Sequence, residues 1–297
     1  MVLGDPDYPP LLLNTADPPL LLYLEGDASL LCRPALAVVG SRRPTPQGRD
    51  NAREFARGLG AHGYVIVSGL ALGVDGAAHE GALQAQAQSG GPGTVAVLGT
   101  GLDAVYPRSH IGLAARIAAG GLLVSEMALG TPPLPQNFPL RNRIIAALAR
   151  GTLVVEAGLP SGSLITAKLA AEAGREVMAI PGSIHAPTAR GCHDLIRQGA
   201  ALVQSVDDVL AELGGAPPQA ALPLSVAAGD ADRADAAEST PEDPVLRALG
   251  HDPASLDTLI ARCGWPAPEL SAHLMALELD GRVARLPGGL YQRLQAV

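Results

Sequence analysis

From residue 35 onward, short apolar runs alternate with longer segments of helical spacing. The runs at 35–39, 64–67, 94–98, 122–125, 152–156, 176–180 and 201–204 are apolar or small at most positions. Continuous rather than alternating apolarity marks strands covered on both faces, as in a parallel sheet. Between them, residues 48–61, 74–88, 109–119, 141–149, 162–173, 192–198 and 206–213 carry helical spacing. The alternation predicts an α/β domain over residues 35–213, with residues 1–34 as an N-terminal extension packed on it. Ligands of such sheets bind beyond the carboxyl ends of the strands, so the loops that follow each strand are where chemistry is expected.

The pattern changes after residue 213. Residues 214–244 are rich in Ala, Pro, Asp and Glu without periodicity and read as an acidic linker. Residues 245–297 form a second unit, with helices expected at 245–249, 256–263 and 269–279. A hairpin follows, with strands at 283–286 and 290–294 around Pro287-Gly288-Gly289. Three helices and a hairpin predict a winged-helix domain. The helix at 269–279 has two glutamates and no Lys or Arg. A DNA-reading helix would be basic, so a protein-contact or accessory role is favoured.

A net charge of −8 speaks against nucleic acid only until its distribution is read. Residues 1–213 carry 15 basic and 18 acidic groups, whereas 214–244 carry one and six. Most of the excess therefore sits in the linker, and a local basic groove on the α/β body is compatible with it. Lys168 is the single lysine, so an anion site here rests on guanidinium groups. Three scattered cysteines give neither a disulfide framework nor a metal-ligand spacing. With no signal peptide, no membrane-length apolar run and no cofactor fingerprint, the reading is a cytoplasmic protein without metal or cofactor.

The most informative stretch is Asn137-Phe138-Pro139-Leu140-Arg141-Asn142-Arg143, expected at a loop-to-helix junction. Phe138 offers a flat surface for a base, and Arg141 and Arg143 offer forks for phosphate. After the first strand, Gly40 permits close backbone approach, Ser41 supplies a hydroxyl, and Arg42 and Arg43 supply cations. Ser68 and Gly69 end the second strand, ahead of a helix bearing Asp75 and His79. Ser161, Gly162 and Ser163 open the helix that carries Lys168, a further candidate phosphate contact. Lys168 does not follow the glycine, so this is no Walker loop, and Gly99-Thr100-Gly101 lacks the last glycine of a dinucleotide fingerprint.

The ordered series VGSRRPTPQG, SGLALGVDGAAH, LGTGLDAVYP, NFPLRNRIIAAL, VVEAGLPSGSLITA and AIPGSIHAPTARGCHDLIRQGA resembles the DNA-processing protein A family (DprA, also called Smf) over residues 5–213. The resemblance implies an extended Rossmann-like domain that binds single-stranded DNA without chemistry. It also implies homodimerisation through that domain and loading of RecA recombinase onto DNA taken up during natural transformation. Carried onto this chain, Gly40-Ser41-Arg42 would hold phosphates and Ser68-Gly69 would line the same pocket. Phe138 would contact a base, Arg141 and Arg143 would flank the strand, and Lys168 would lie near the pocket. Many relatives begin with a small helical domain before the segment at Tyr8-Pro9. The residues alone also allow a nucleotide hydrolase or phosphoribohydrolase using Asp75, His79, Glu126 and Glu156 as acid–base groups. A duplex-specific regulator would need a basic recognition helix.

Overall fold

The computed structural model describes residues 1–184, 186–214, 243–249 and 253–294. The chain divides into two units, Met1–Gly215 and Ala216–Val297. Most of the linker expected at 214–244 lies outside the described residues.

In the first unit the strands are β1 (Tyr23–Gly26), β2 (Ala35–Val39), β3 (Val65–Ser68), β4 (Thr94–Leu98), β5 (Leu122–Ser125), β6 (Gly151–Val154), β7 (Glu176–Ala179) and β8 (Ala201–Leu202). The helices are α1 (Pro10–Leu13), α2 (Pro46–Ala61), α3 (Val74–Ser89), α4 (Ile111–Gly120), α5 (Asn137–Leu148), α6 (Gly162–Glu172), α7 (Arg190–Arg197) and α8 (Val206–Glu212). The sheet order is β1-β5-β4-β3-β2-β6-β7-β8. Every pairing is parallel except that of β1, which runs antiparallel to β5.

Period-two alternation sorts each strand between two helical layers. Ala35, Ala37 and Val39 of β2 pack with Ile144, Ile145 and Leu148 of α5. Leu36 and Val38 face the other way, against Phe55 and Leu59 of α2 and Ala78 and Ala82 of α3. Strands β3 to β5 are laid successively to one side of β2, and β6 to β8 to the other. Strand order therefore reverses between β2 and β6, where Leu36 is aligned with Ile66 on one side and Gly151 on the other. That reversal is the place where an open α/β sheet parts its loops and admits a ligand.

Strand β1 was not expected from the sequence. The apolar run behind Pro18 and Pro19 ends at Leu24, and the strand continues through Glu25 and Gly26, so neither a full apolar run nor alternation marks it; as an edge strand it is only partly covered. Residues 1–34 also supply Tyr8, Leu12, Leu22, Leu30 and Leu31 to the core. Among the described residues, no helix is long and apolar enough to cross a membrane.

The second unit contains α9 (Pro244–Leu249), β9 (Ala254–Ser255), α10 (Leu256–Cys263), α11 (Ala267–Leu279), β10 (Val283–Leu286) and β11 (Leu290–Arg293). Its antiparallel sheet has the order β10-β11-β9, and Leu246, Leu259, Leu270, Leu274 and Val283 fill the core. Three helices with a hairpin wing make a winged helix. Helix α11 exposes Met275 and Leu279 and carries no Lys or Arg.

Candidate nucleic-acid interface

The loop after β2 is held from both sides. The Ser41 N–H donates to the Glu156 carbonyl at 2.6 Å, and the Val74 N–H donates to the Ser41 carbonyl at 3.1 Å. The Arg43 N–H donates to Ser41 Oγ at 3.1 Å. Gly40 serves this packing: a Cβ there would lie 2.8 Å from both the Glu156 carbonyl oxygen and Val74 Cγ2. The backbone is thus fixed while the side chains of Arg42 and Arg43 stay exposed. Neither forms an ion pair with any described residue.

Helix α5 begins at Asn137, earlier than the junction expected from the sequence. Pro139 lies within its first turn, where backbone N–H groups have no intrahelical partner and proline is tolerated. Phe138 to Arg143 are consequently helical, and their side chains diverge. Phe138 packs against Gly99, stands 5.5 Å from the Tyr106 ring at a 46° tilt, and has the Arg42 guanidinium 5.9 Å from its centroid. Arg141 points inward at 4% exposure, with Nη1 donating to the Val97 carbonyl at 2.7 Å. Burial lowers its pKa to about 10, Asp75 counteracting and Arg42 adding to the shift, so it remains a cation at neutral pH. Arg141 therefore forms charged floor beneath the cleft and does not flank a strand.

Four other sequence assignments are placed elsewhere. Arg143 donates to both oxygens of Glu126, at 2.6 and 2.7 Å, with Asp17 at 3.4 Å, and is not part of the cleft wall. The exposed Lys168 pairs with Glu172 one turn on, at 3.7 Å. Ser68 is fully buried, its hydroxyl donating to the Val38 carbonyl at 2.7 Å. Asn137 is buried as well, at 6% exposure.

Asp75 and His79 hold the turn after β3. Leu70 has φ 57, a strained value for a branched side chain. Asp75 accepts from the N–H groups of Gly69 and Ala71, at 3.1 and 3.3 Å. His79 Nε2 accepts from the Leu70 N–H at 3.3 Å. Because Thr94 Oγ1 donates to the Ile66 carbonyl, His79 Nδ1 donates to Thr94 Oγ1 at 2.8 Å. That pattern requires neutral imidazole, and burial, aided by His110 and Arg141, lowers its pKa to about 3. Glu156 accepts from the Thr45 hydroxyl and N–H at the start of α2, at 2.5 and 3.0 Å. The groups offered for acid–base chemistry thus hold backbone, threonine or, for Glu126, arginine.

A cleft of about 900 Å³ opens over the switch point between β2 and β6. Gly40, Ser41, Arg42, Arg43, Phe138, Arg141, Asn142, Ser161, Gly162 and Ser163 line it; Ser68, Gly69, Asn137, Arg143 and Lys168 do not. Ser161 caps α6, accepting from the Ser163 N–H at 3.3 Å, and Asn142 Nδ2 donates to the Gly162 carbonyl at 3.2 Å. Among the described residues, four arginines (42, 43, 141 and 190) line the cleft against one carboxyl, Asp75. The wall also includes Tyr106 and Arg190, which sequence reasoning passed over. Both follow sheet strands, and the rule that ligands gather beyond strand ends was the signal that could have found them. Among the described residues, no group of three or more His, Cys, Asp or Glu side chains could hold a metal ion.

Comparison with known proteins places this architecture. The family model for DNA recombination-mediator protein A matches residues 1–214, and that for the DprA winged helix domain matches residues 229–289. Protein Smf of Escherichia coli is 45% identical over 294 residues, covering 97% of this chain and 75% of that protein. DNA processing protein DprA of Streptococcus pneumoniae is 50% identical over 208 residues, covering 70% and 72%. The X-ray structure of the pneumococcal protein superposes with a TM-score of 0.66 at 47% identity, over 71% of this chain and 73% of that one. A structure addressing the single-stranded DNA binding mode of DNA processing protein A from Helicobacter pylori gives 0.62 at 34% identity, over 69% and 92%. Two domain models in order and relatives matched over most of the chain agree with the sheet and the winged helix: the chain belongs to the DNA recombination-mediator protein A (DprA/Smf) family.

Proposed function

We propose that this chain is a DNA-processing protein that binds single-stranded DNA in the cleft over the β2/β6 switch point. The observation that carries the reading is the charge of that wall: among the described residues, four arginines against one carboxyl, in a chain of net charge −8. Exposed guanidinium groups on a fixed loop suit phosphates, and an aromatic pair beside them suits unstacked bases. A duplex offers the same phosphates but keeps its bases stacked and out of reach of the rings. The binding described for the Helicobacter pylori relative supports the same ligand class.

The family resemblance extends the proposal to a cytoplasmic homodimer, paired through the Rossmann-like unit, that protects incoming strands and loads RecA recombinase during natural transformation. Two clefts on one dimer would bridge two segments of a strand and gain avidity through effective concentration. Helix α11, with two glutamates, no Lys or Arg, and exposed Met275 and Leu279, favours a protein-contact or accessory role for the winged helix.

Fluorescence anisotropy of labelled oligo-dT, challenged with matched duplex and with mononucleotide, tests the ligand class. Selective displacement by single strands is expected; equal competition by duplex or by mononucleotide refutes it. Recombinase filament assembly on oligo-dT, with and without the protein, tests the loading step.

A further inference from the structure

The cleft is wider than the loop residues assigned to it. Its wall draws on segments after β4 (Tyr106), β3 (Ala71), β2 (Arg42, Arg43), β6 (Ser161) and β7 (Arg190). From β4 to β7 in the sheet order lie four interstrand steps, about 19 Å at about 4.8 Å each. At the B-form rise of about 3.4 Å this is roughly five or six nucleotides, fewer if the strand is extended.

The two ends of that wall differ in chemistry. At the β4 end, Tyr106 is 48% exposed and lies beside the less accessible Phe138, so the outer ring is the one open to a base. At the β7 end, the segment carrying Arg190 is tied to the end of β6 on both sides of that residue. The Ala157 N–H donates to the Thr188 carbonyl at 2.7 Å, and the Gly191 N–H donates to the Ala157 carbonyl at 2.8 Å. Arg190 is exposed and forms no ion pair with any described residue. An unpaired guanidinium on an anchored segment keeps its fork for an anion at low ordering cost.

We propose that a single strand lies along the carboxyl edge of the sheet and crosses the switch point. Tyr106 stacks a base at one end of its path and Arg190 holds a phosphate at the other. The inference rests on the single-strand reading above and adds to it the direction and extent of the path. A strand lying this way touches both halves of the sheet.

The test is anisotropy with labelled oligo-dT of ~3 and ~12 nucleotides, on the full chain. The variants are Arg190→Ala, Tyr106→Ala, Tyr106→Phe and Arg42→Ala. Arg197→Ala is the control, since Arg197 shares α7 with Arg190 but pairs with Asp194. Arg190→Ala is expected to bind the short oligomer like wild type. For the long one it should lose about tenfold, with a salt slope shallower by about 0.7, one phosphate's worth of counterion release. Tyr106→Ala should weaken the long oligomer and Tyr106→Phe should not, because stacking needs the ring and not the hydroxyl. If Arg190→Ala and Tyr106→Ala match wild type while Arg42→Ala is impaired, the path is overturned and the cleft reading stands. Equal loss at both lengths in Arg190→Ala would put Arg190 on the phosphate held by Arg42 and also overturn it. If Arg42→Ala matches wild type as well, the cleft reading falls and the path with it.

Discussion

The Arg141 guanidinium occupies the space that a side chain at Gly69 would need. A Cβ on Gly69 would fall within the guanidinium group, in contact with Nη1 and Cζ. The glycine after β3 therefore lets a buried cation reach the Val97 carbonyl and face Asp75, whose own carboxyl burial pushes up in pKa while Arg141 draws it down. Gly69→Ala is expected to displace Arg141 and destabilise the first unit by about 2–4 kcal/mol. Urea unfolding would read this as a lower midpoint at unchanged slope, and an unchanged midpoint would contradict it.

Arg143 invites the opposite expectation to Arg42. It is largely buried in an ion pair with Glu126 that also engages Asp17. Arg143→Ala should cost about 1–3 kcal/mol of stability, because it leaves Glu126 without its partner. The salt slope of oligo-dT binding should stay at the wild-type value. A shallower slope in a fully folded Arg143→Ala protein would bring this arginine back to the strand.

Much of the fold was legible because parallel strands announce themselves. β2, β4 and β5 begin and end where their apolar runs do. The edge strand β1 escaped because its apolar run stops halfway along it, before Glu25 and Gly26, and the start of α5 escaped because Pro139 reads as a breaker until it is seen in a first turn. The candidate site was legible as a set of loops but not as a wall. Sequence shows that Arg42, Arg141 and Arg143 are arginines near turns. It does not show that one stays exposed, one is the floor, and one is paired to Glu126. Those outcomes depend on the α5 rotation and on partners distant in the chain. Arg190 sits in a segment whose placement depends on hydrogen bonds to Ala157, which no local pattern encodes.

His79 links the cleft turn to pH. Its folded pKa, about 3, lies below the ordinary 6.5. Between those values the unfolded chain binds the proton and the folded one does not, so stability rises with pH across that window. The contribution is complete above about pH 6.5 and is lost on acidification, at up to about 1.4 kcal/mol per pH unit. His79→Asn should lower stability at neutral pH and flatten the acid slope. Urea midpoints at several pH values would show it; an unchanged slope would mean that His79 is not held neutral.

Phe138 separates stacking from charge. Removing its ring should weaken oligo-dT binding by about 1–3 kcal/mol. The salt slope should not move, since the ring releases no counterions. Anisotropy at two salt concentrations distinguishes this from loss of an arginine, and a Phe138→Ala protein with undiminished affinity would remove the aromatic pair from the site.

The central claim is that the basic wall over the switch point holds the phosphates of a single strand. The most direct measurement is the salt dependence of oligo-dT affinity for wild type and for the Arg42→Ala/Arg43→Ala double variant. Both side chains are exposed on a loop fixed by its backbone, so folding should be retained. The account predicts weaker binding and a slope shallower by about 1.4, two phosphates' worth of released counterions. A folded double variant with wild-type affinity and slope would contradict it and move the binding surface elsewhere.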